Sequence, residues 1–396
     1  MRHMLEVVGA ILGFGAVFIS VRRKISVGLS LILGAAIVGV FSLPAPDLLQ
    51  TIARASVAVP TLELIATIGS ITFLNFVYES TGSFQEISEN LSKMVSSRTL
   101  VTLIPVIFGI LPVSGGGLFS APLVDHEGNK LGLDRNFKAF LNLWFRHIPH
   151  LLNPLETALV ILSYVTQISL LTLIIFQIPV FAAGVLVGYL LGPAPMRKVG
   201  RRTIEWCYAK NCLIAFLPMA IAVALIVVLG VKTYLAVAGA TILLLYITKS
   251  WKLDLKSAAS SVAGMALAGL GTMIFRNVFE SSGVLASLSQ IVQKSSAWPP
   301  LLLVFVPLLI GFALGESTPA MALSLSVLSF MGGFTPASAC IAYTCMYFGH
   351  LSSPTHLCFI ATSEYFRAGT IGIYRRLVPA TLVTLAVSIP VLILLM

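Results

Sequence analysis

Chemistry in this chain gathers at two short, proline-broken stretches that hold most of its six histidines. The first reads His147-Ile148-Pro149-His150-Leu151-Leu152-Asn153-Pro154, with Glu156 and Thr157 just beyond it. The second reads Gly349-His350-Leu351-Ser352-Ser353-Pro354-Thr355-His356. Proline removes a backbone donor and ends an incoming helix, while Asn, Ser or Thr can start an outgoing one. Such a break presents carbonyls that suit a cation and helix N-termini that suit an anion. Asn153, Thr157, Ser353 and Thr355 are therefore candidate substrate contacts, and Ser352, His147 and His350 candidate ion or proton carriers. A histidine in a helix is as often structural, and His150 and His356 read equally well either way.

Two further stretches carry polar residues at the centre of apolar text. Pro112-Val113-Ser114-Gly115-Gly116-Gly117 interrupts the run 99–124, and Gly315-Glu316-Ser317-Thr318-Pro319 interrupts 299–331. Each half of these runs is too short to span a bilayer, so both are expected to be re-entrant hairpins. Backbone that leaves the helix at membrane depth needs protein, water or ligand to satisfy it. Ser114, Gly115, Gly116, Gly117, Ser317 and Thr318 are thus candidate ligand contacts. Glu316 could ligate a cation or exchange a proton. Arg146 could anchor a substrate carboxylate, or pair with Glu156 or a helix-terminal carbonyl. Glu79 and Glu280 read as helix-end caps or ion pairs, and Glu63 and Arg276 as buried partners or interfacial residues.

The elements that must position these residues follow from composition. The chain has 396 residues, 57% hydrophobic and 10% charged, with a mean hydropathy of +0.97. A soluble protein carries about 25% charged residues. Soluble enzymes, nucleic-acid modules and secreted disulfide scaffolds are excluded at this step, and an all-α polytopic membrane protein is expected. The net charge of +10 is no nucleic-acid footprint, because the basic residues sit in short clusters between apolar runs. The five cysteines lie in or beside apolar helical text and read as small hydrophobes in helix packing. The basic cluster Arg22-Arg23-Lys24 follows the first apolar run instead of preceding it, which opposes a secretory signal.

Crossings are expected near 4–21, 25–44, 57–79, 136–166 (interrupted), 169–194, 208–230, 233–248, 257–280, 335–365 (interrupted) and 377–395. With both hairpins returning to their side of entry, most of the 25 Lys and Arg share one side of the membrane. Arg2, Arg54, Lys232 and Lys294 fall on the other, and Arg146 and Arg276 within spans. That asymmetry gives about ten crossings and two hairpins, N-out and C-out. Segments 83–97 and 284–297 mix polar and apolar residues at helical spacing and read as interfacial helices.

The two halves align at an offset of about 200 residues, in opposite orientation, as secondary transporters built from inverted repeats do. Tyr78-Glu79-Ser80-Thr81-Gly82 matches Phe279-Glu280-Ser281-Ser282-Gly283, and Trp144-Phe145-Arg146-His147 matches Tyr347-Phe348-Gly349-His350. Pro154 meets Pro354 and Pro179 meets Pro379. Repeat 1 is expected over 1–196, a cytoplasmic linker over 197–207 and repeat 2 over 208–396. No His-Glu-x-x-His, Gly-x-Ser-x-Gly, paired-Asp or Walker A run is present, so neither an enzyme nor an ATP-driven pump is expected. His147, His150 and Glu156 could in principle hold a metal, but their spacing crosses a broken segment, and no metal or other cofactor is expected.

A hairpin followed by a broken helix in each repeat resembles the ion transporter superfamily, which includes divalent-anion/Na⁺ symporters, citrate and gluconate permeases, and arsenite carriers. Within it, the segment from Leu111 to Pro122 looks most like a prokaryotic membrane family of unknown function. The divalent-anion symporters place Ser-Asn-Thr at both hairpin tips; here the tips keep hydroxyls at Ser114, Ser317 and Thr318 but lack both Asn. The resemblance implies a homodimer in the prokaryotic plasma membrane, with elevator-type movement of the hairpin-bearing domain. The expected function is symport of a small organic anion with Na⁺ or H⁺. A cation/proton antiporter is the alternative, since Glu316 and the histidines could serve cation exchange alone.

Overall fold

The computed structural model describes residues 2–110, 117–194, 196, 206–284, 298–331 and 333–396. Among these every regular element is helical, which satisfies backbone N–H and C=O groups within each segment as a bilayer demands. Among the described residues, six helices are long and apolar enough to cross a membrane, which suits a helical membrane protein. Residues 112–116 of the predicted hairpin tip 112–117, and 285–297 of the predicted interfacial segment 284–297, lie outside the described residues.

In chain order, α1 (Arg2–Arg22), α2 (Val27–Ser42), α3 (Ala45–Val57), α4 (Val59–Ser80) and α5 (Ser83–Met94) come first. Then come α6 (Ser97–Ile110), α7 (Gly117–Lys130), α8 (Arg135–His147), α9 (Thr157–Thr166) and α10 (Leu170–Leu191). The second half holds α11 (Trp206–Val227), α12 (Thr233–Thr248), α13 (Leu255–Ser281), α14 (Trp298–Leu314) and α15 (Ser317–Leu328). It closes with α16 (Pro336–Ser352), α17 (Leu357–Phe366) and α18 (Thr370–Leu394).

Two bundles result. In one, α2 packs on α1 and α13, α4 on α12 and α13, and α11 on α5 and α12. In the other, α6 packs on α7 and α8, α14 on α15 and α16, and α10 on α18 and α16. The second bundle takes α6–α10 from the first half and α14–α18 from the second. The bundles meet where α15 lies on α13 and α9 on α4. Glycines bring backbones together inside each bundle. A Cβ on Gly28 would stand 2.3 Å from the Leu267 carbonyl oxygen, one on Gly109 1.9 Å from that of Arg146, and one on Gly311 2.1 Å from that of Met346.

Both expected helix breaks are present and are built alike. At the first, Asn153 N donates to His150 O, Glu156 N to Asn153 O and Leu155 N to Asn153 Oδ1. At the second, Ser353 N donates to His350 O, His356 N to Ser353 O and Thr355 N to Ser353 Oγ. This pattern registers His150 with His350 and Glu156 with His356. The sequence alignment paired His147 with His350 because it placed the change in length after the histidines; the structure places it before them. The breaks differ in one respect: a 3₁₀ turn, Ile148–Leu151, follows α8, whereas α16 runs as an α-helix through Ser352.

Two elements depart from expectation. Residues 45–57 fold as a separate helix with Pro44 as its cap, Asp47 in the first turn and Arg54 in the last. Only Leu48 and Ala55 of it are buried, too thin an apolar stripe to register as a crossing. The last helix starts at Thr370, not near 377, because Arg375 and Arg376 extend it. The Arg376 guanidinium lies over the Phe137 ring, 4.3 Å from its centroid, which gives the charge a partner.

Candidate functional site

Helices α9, α15 and α17 all begin at the same place. Their N-cap residues are Glu156, Glu316 and His356, and none of the three side chains caps its own helix. Each helix therefore keeps first-turn N–H groups without an intrahelical partner, and a partial positive charge. The turn before α15 needs Gly315, whose φ is +67° and where a Cβ would stand 2.5 Å from Thr355 Oγ1. Thr157, Ser317, Thr318 and Cys358, from the first turns, line a cavity of about 180 Å³. Arg146, His147, His150, Glu156, Glu316, Tyr347, His350 and His356 line it too, and Val27, Met265 and Ala268 close it from the other bundle.

Geometry sorts these groups. His150 Nδ1 lies 2.5 Å from Glu156 Oε2, and Ser317 Oγ donates to Glu156 Oε1 at 3.2 Å, so one carboxylate ties the first break to the second hairpin. His147 Nδ1 donates to Leu143 O at 2.7 Å, and its Nε2 lies 2.9 Å from His356 Nε2. The rings of His350 and His356 stand 4.0 Å apart, centre to centre. His150 Nε2 and His350 Nδ1 are buried and have no hydrogen-bond partner among the described residues. Glu316 is the exposed member of the set, open to the cavity. Carbonyls at the first break also accept from the second half: Tyr347 Oη donates to His147 O and Tyr343 Oη to His150 O, each at 3.1 Å.

Of the residues singled out from sequence, Arg146, His147, Thr157, Glu316, Ser317, Thr318 and His350 meet at this cavity. Arg146 spends Nη1 on Phe108 O at 2.8 Å, which fastens α8 to the hairpin helix α6. Asn153 donates to Ile110 O at 2.7 Å and likewise holds hairpin to break. Ser352 bonds Thr381, and Ser353 and Thr355 bond each other. Asn153, Ser352, Ser353 and Thr355 thus build the breaks and are not among the cavity-lining residues. Gly117 opens α7; Ser114, Gly115 and Gly116 lie outside the described residues. Glu280 pairs with Arg276 at 2.9 Å and Glu63 with Lys232, away from the cavity.

Sequence reasoning missed Cys358, which it took for a small packing residue, and underrated His356 and Glu156. The pattern His356-Leu357-Cys358 directly after a break was the available signal. His147 Nε2, His356 Nε2 and Cys358 Sγ come within 4.8 Å of one another, so these three could hold a metal ion. They are not the His147, His150 and Glu156 set weighed from spacing.

Fold and cavity together define a polytopic helical membrane protein whose buried polar residues gather at interrupted helices. The chain belongs to the family described as protein of unknown function DUF401, whose model matches residues 8–395. Comparison with curated proteins gave no match.

Proposed function

We propose that the protein is a secondary transporter that moves a small organic anion across the prokaryotic plasma membrane together with Na⁺ or H⁺. The observation that carries this reading is the convergence of three helix N-termini, none capped by its own side chain, on one cavity between two bundles. Three such termini favour an anionic group. Burying backbone ends at membrane depth is otherwise costly. Inward movement of an anion opposes an inside-negative potential by about 2.3 kcal/mol per charge at about 100 mV. Two co-transported cations per monoanion reverse that sign.

In this reading the halves are inverted repeats with about ten crossings: the six long helices, α2, α12 and the two broken helices, with α6–α7 and α14–α15 as hairpins. The matched hydrogen bonds of the two breaks support it, as do the paired close contacts at Gly109 and Gly311. The bundle of α6–α10 and α14–α18 is the moving part, the other bundle the scaffold, and the resemblance to elevator-type symporters supports a homodimer.

Thermal unfolding of the purified protein against a panel of organic anions, in Na⁺ and in choline, tests the proposal. Symport predicts an anion that raises the melting temperature, more in Na⁺ or at lower pH, by mass action. Ser317→Ala and Glu316→Gln are each expected to shrink that rise; no change in either variant would remove the second hairpin from the site. The two carboxylates and four imidazoles of the cavity favour a second reading, cation/proton antiport. A response to Na⁺ or Li⁺ with none to any anion would select it.

A further inference from the structure

We infer that His147, His356 and Cys358 form a binding site for a transition-metal cation of the Zn²⁺ class. The argument starts from the two imidazoles. Both Nδ1 atoms face backbone carbonyls, His147 on Leu143 O at 2.7 Å and His356 on Gly315 O at 3.3 Å. A carbonyl only accepts, so each Nδ1 carries the hydrogen and each neutral ring keeps its lone pair on Nε2. Those two Nε2 atoms face each other at 2.9 Å. Two lone pairs at that separation repel unless a cation lies between them.

One proton would relieve that pair alone. The third group argues for more than a proton. Cys358 follows His356 by two residues in the first turn of α17, and its Sγ lies within 4.8 Å of both ring nitrogens. Zn–N bonds of about 2.0–2.1 Å and Zn–S bonds of about 2.3 Å put tetrahedral ligand atoms about 3.3–3.6 Å apart, so the two nitrogens would part by a few tenths of an ångström and the sulfur would close by little more than about an ångström at most. Backbone carbonyls on both Nδ1 atoms are the outer contacts that orient metal-ligating histidines. All three residues are buried, at 3%, 5% and 7% exposure, within protein that would otherwise have to satisfy them.

Imidazole with thiolate selects Zn²⁺, Co²⁺ or Cu⁺ over Na⁺, Mg²⁺ or Ca²⁺. Binding releases the Cys358 thiol proton, and any proton shared by the imidazoles, to solvent. Three protein ligands leave a fourth position for water or an anion in the cavity. The ligands come from α8 in the first half and α17 in the second, so the ion would clasp the two helix breaks together. The site shares its cavity with the proposed transport site but does not depend on that reading, since metal binding is measured with no transport step.

Tag-free protein in detergent, stripped with chelator, is titrated with Zn²⁺ against a chromophoric chelator and with Co²⁺ as a spectroscopic probe. One equivalent of Zn²⁺ per chain is expected, and saturating Co²⁺ should develop thiolate-to-cobalt charge-transfer absorption. Cys358→Ser should abolish that absorption, and His147→Gln and His356→Gln should each weaken Zn²⁺ binding by more than about tenfold. Cys345→Ser, at a buried cysteine outside the cluster, should change neither. Absence of the charge-transfer band in the unaltered protein would overturn the inference without recourse to any variant. So would Zn²⁺ affinity that stays the same in all three cluster variants.

Discussion

The carbonyls of His147 and His150 lie where α8 gives way to the 3₁₀ turn, and each accepts a hydroxyl from the second half of the chain. Tyr343 and Tyr347 are fully buried and one helical turn apart on α16, which sets both rings against the first break. Tyr343→Phe and Tyr347→Phe each remove one buried hydrogen bond across the halves, and each is expected to cost about 0.5–1.5 kcal/mol in detergent unfolding. Tyr347→Phe should also disturb ligand-induced shifts, since that ring lines the cavity, while Tyr343→Phe should act on stability alone. Polar residues near prolines were legible at this scale: His147, His350, Glu316 and Ser317 all reach the cavity. What sequence could not disclose was pairing between halves. Cys358 sits among Leu357, Phe359 and Ile360, a context that reads as packing, and only the fold brings His147 to it. The converse error has the same root. Asn153, Ser353 and Thr355 belong to the right segment, but a break must first satisfy its own backbone, and their side chains are used there.

At the scale of elements, the hairpins are held by backbone contact. Gly109 rests on the Arg146 carbonyl and Gly311 on that of Met346, too close for any side chain. Gly109→Ala and Gly311→Ala each force hairpin and broken helix apart, with an expected loss of about 1–3 kcal/mol in thermal or denaturant unfolding. The Gly311→Ala change should also weaken whatever ligand stabilises the protein, because α14 leads directly to Gly315 and Glu316. Apolar length made most helices readable, and proline with Gly, Ser or Asn made the breaks readable. Helix α3 escaped because a short surface helix has no run of apolar residues. The early start of α18 escaped because cationic side chains count against a span by composition, whereas packed on an aromatic ring they do not end a helix.

For the molecule as a whole, the division into two bundles matters more than the order of helices along the chain. Thr67 on α4 and Tyr164 on α9 join the bundles through hydroxyls 3.2 Å apart. If one bundle slides against the other, that contact exists in one position only. Tyr164→Phe is therefore expected to leave the unfolding temperature nearly unchanged while altering the rate of substrate uptake into proteoliposomes; an unaltered rate would mean the contact does not move. Which helices join which bundle depends on packing between distant segments and has no local signature.

The 3₁₀ turn at Ile148–Leu151, at one break and not the other, has a further consequence. A carrier made of two equivalent halves would sit with equal ease open to either face of its membrane, and idle turnover would cost it nothing. Here one helix break is wound tighter than its counterpart, so in such a carrier exchanging their shapes would not leave the free energy unchanged. If the chain is the carrier proposed above, it would have a preferred resting side, and the direction in which it waits would be written in part into four residues.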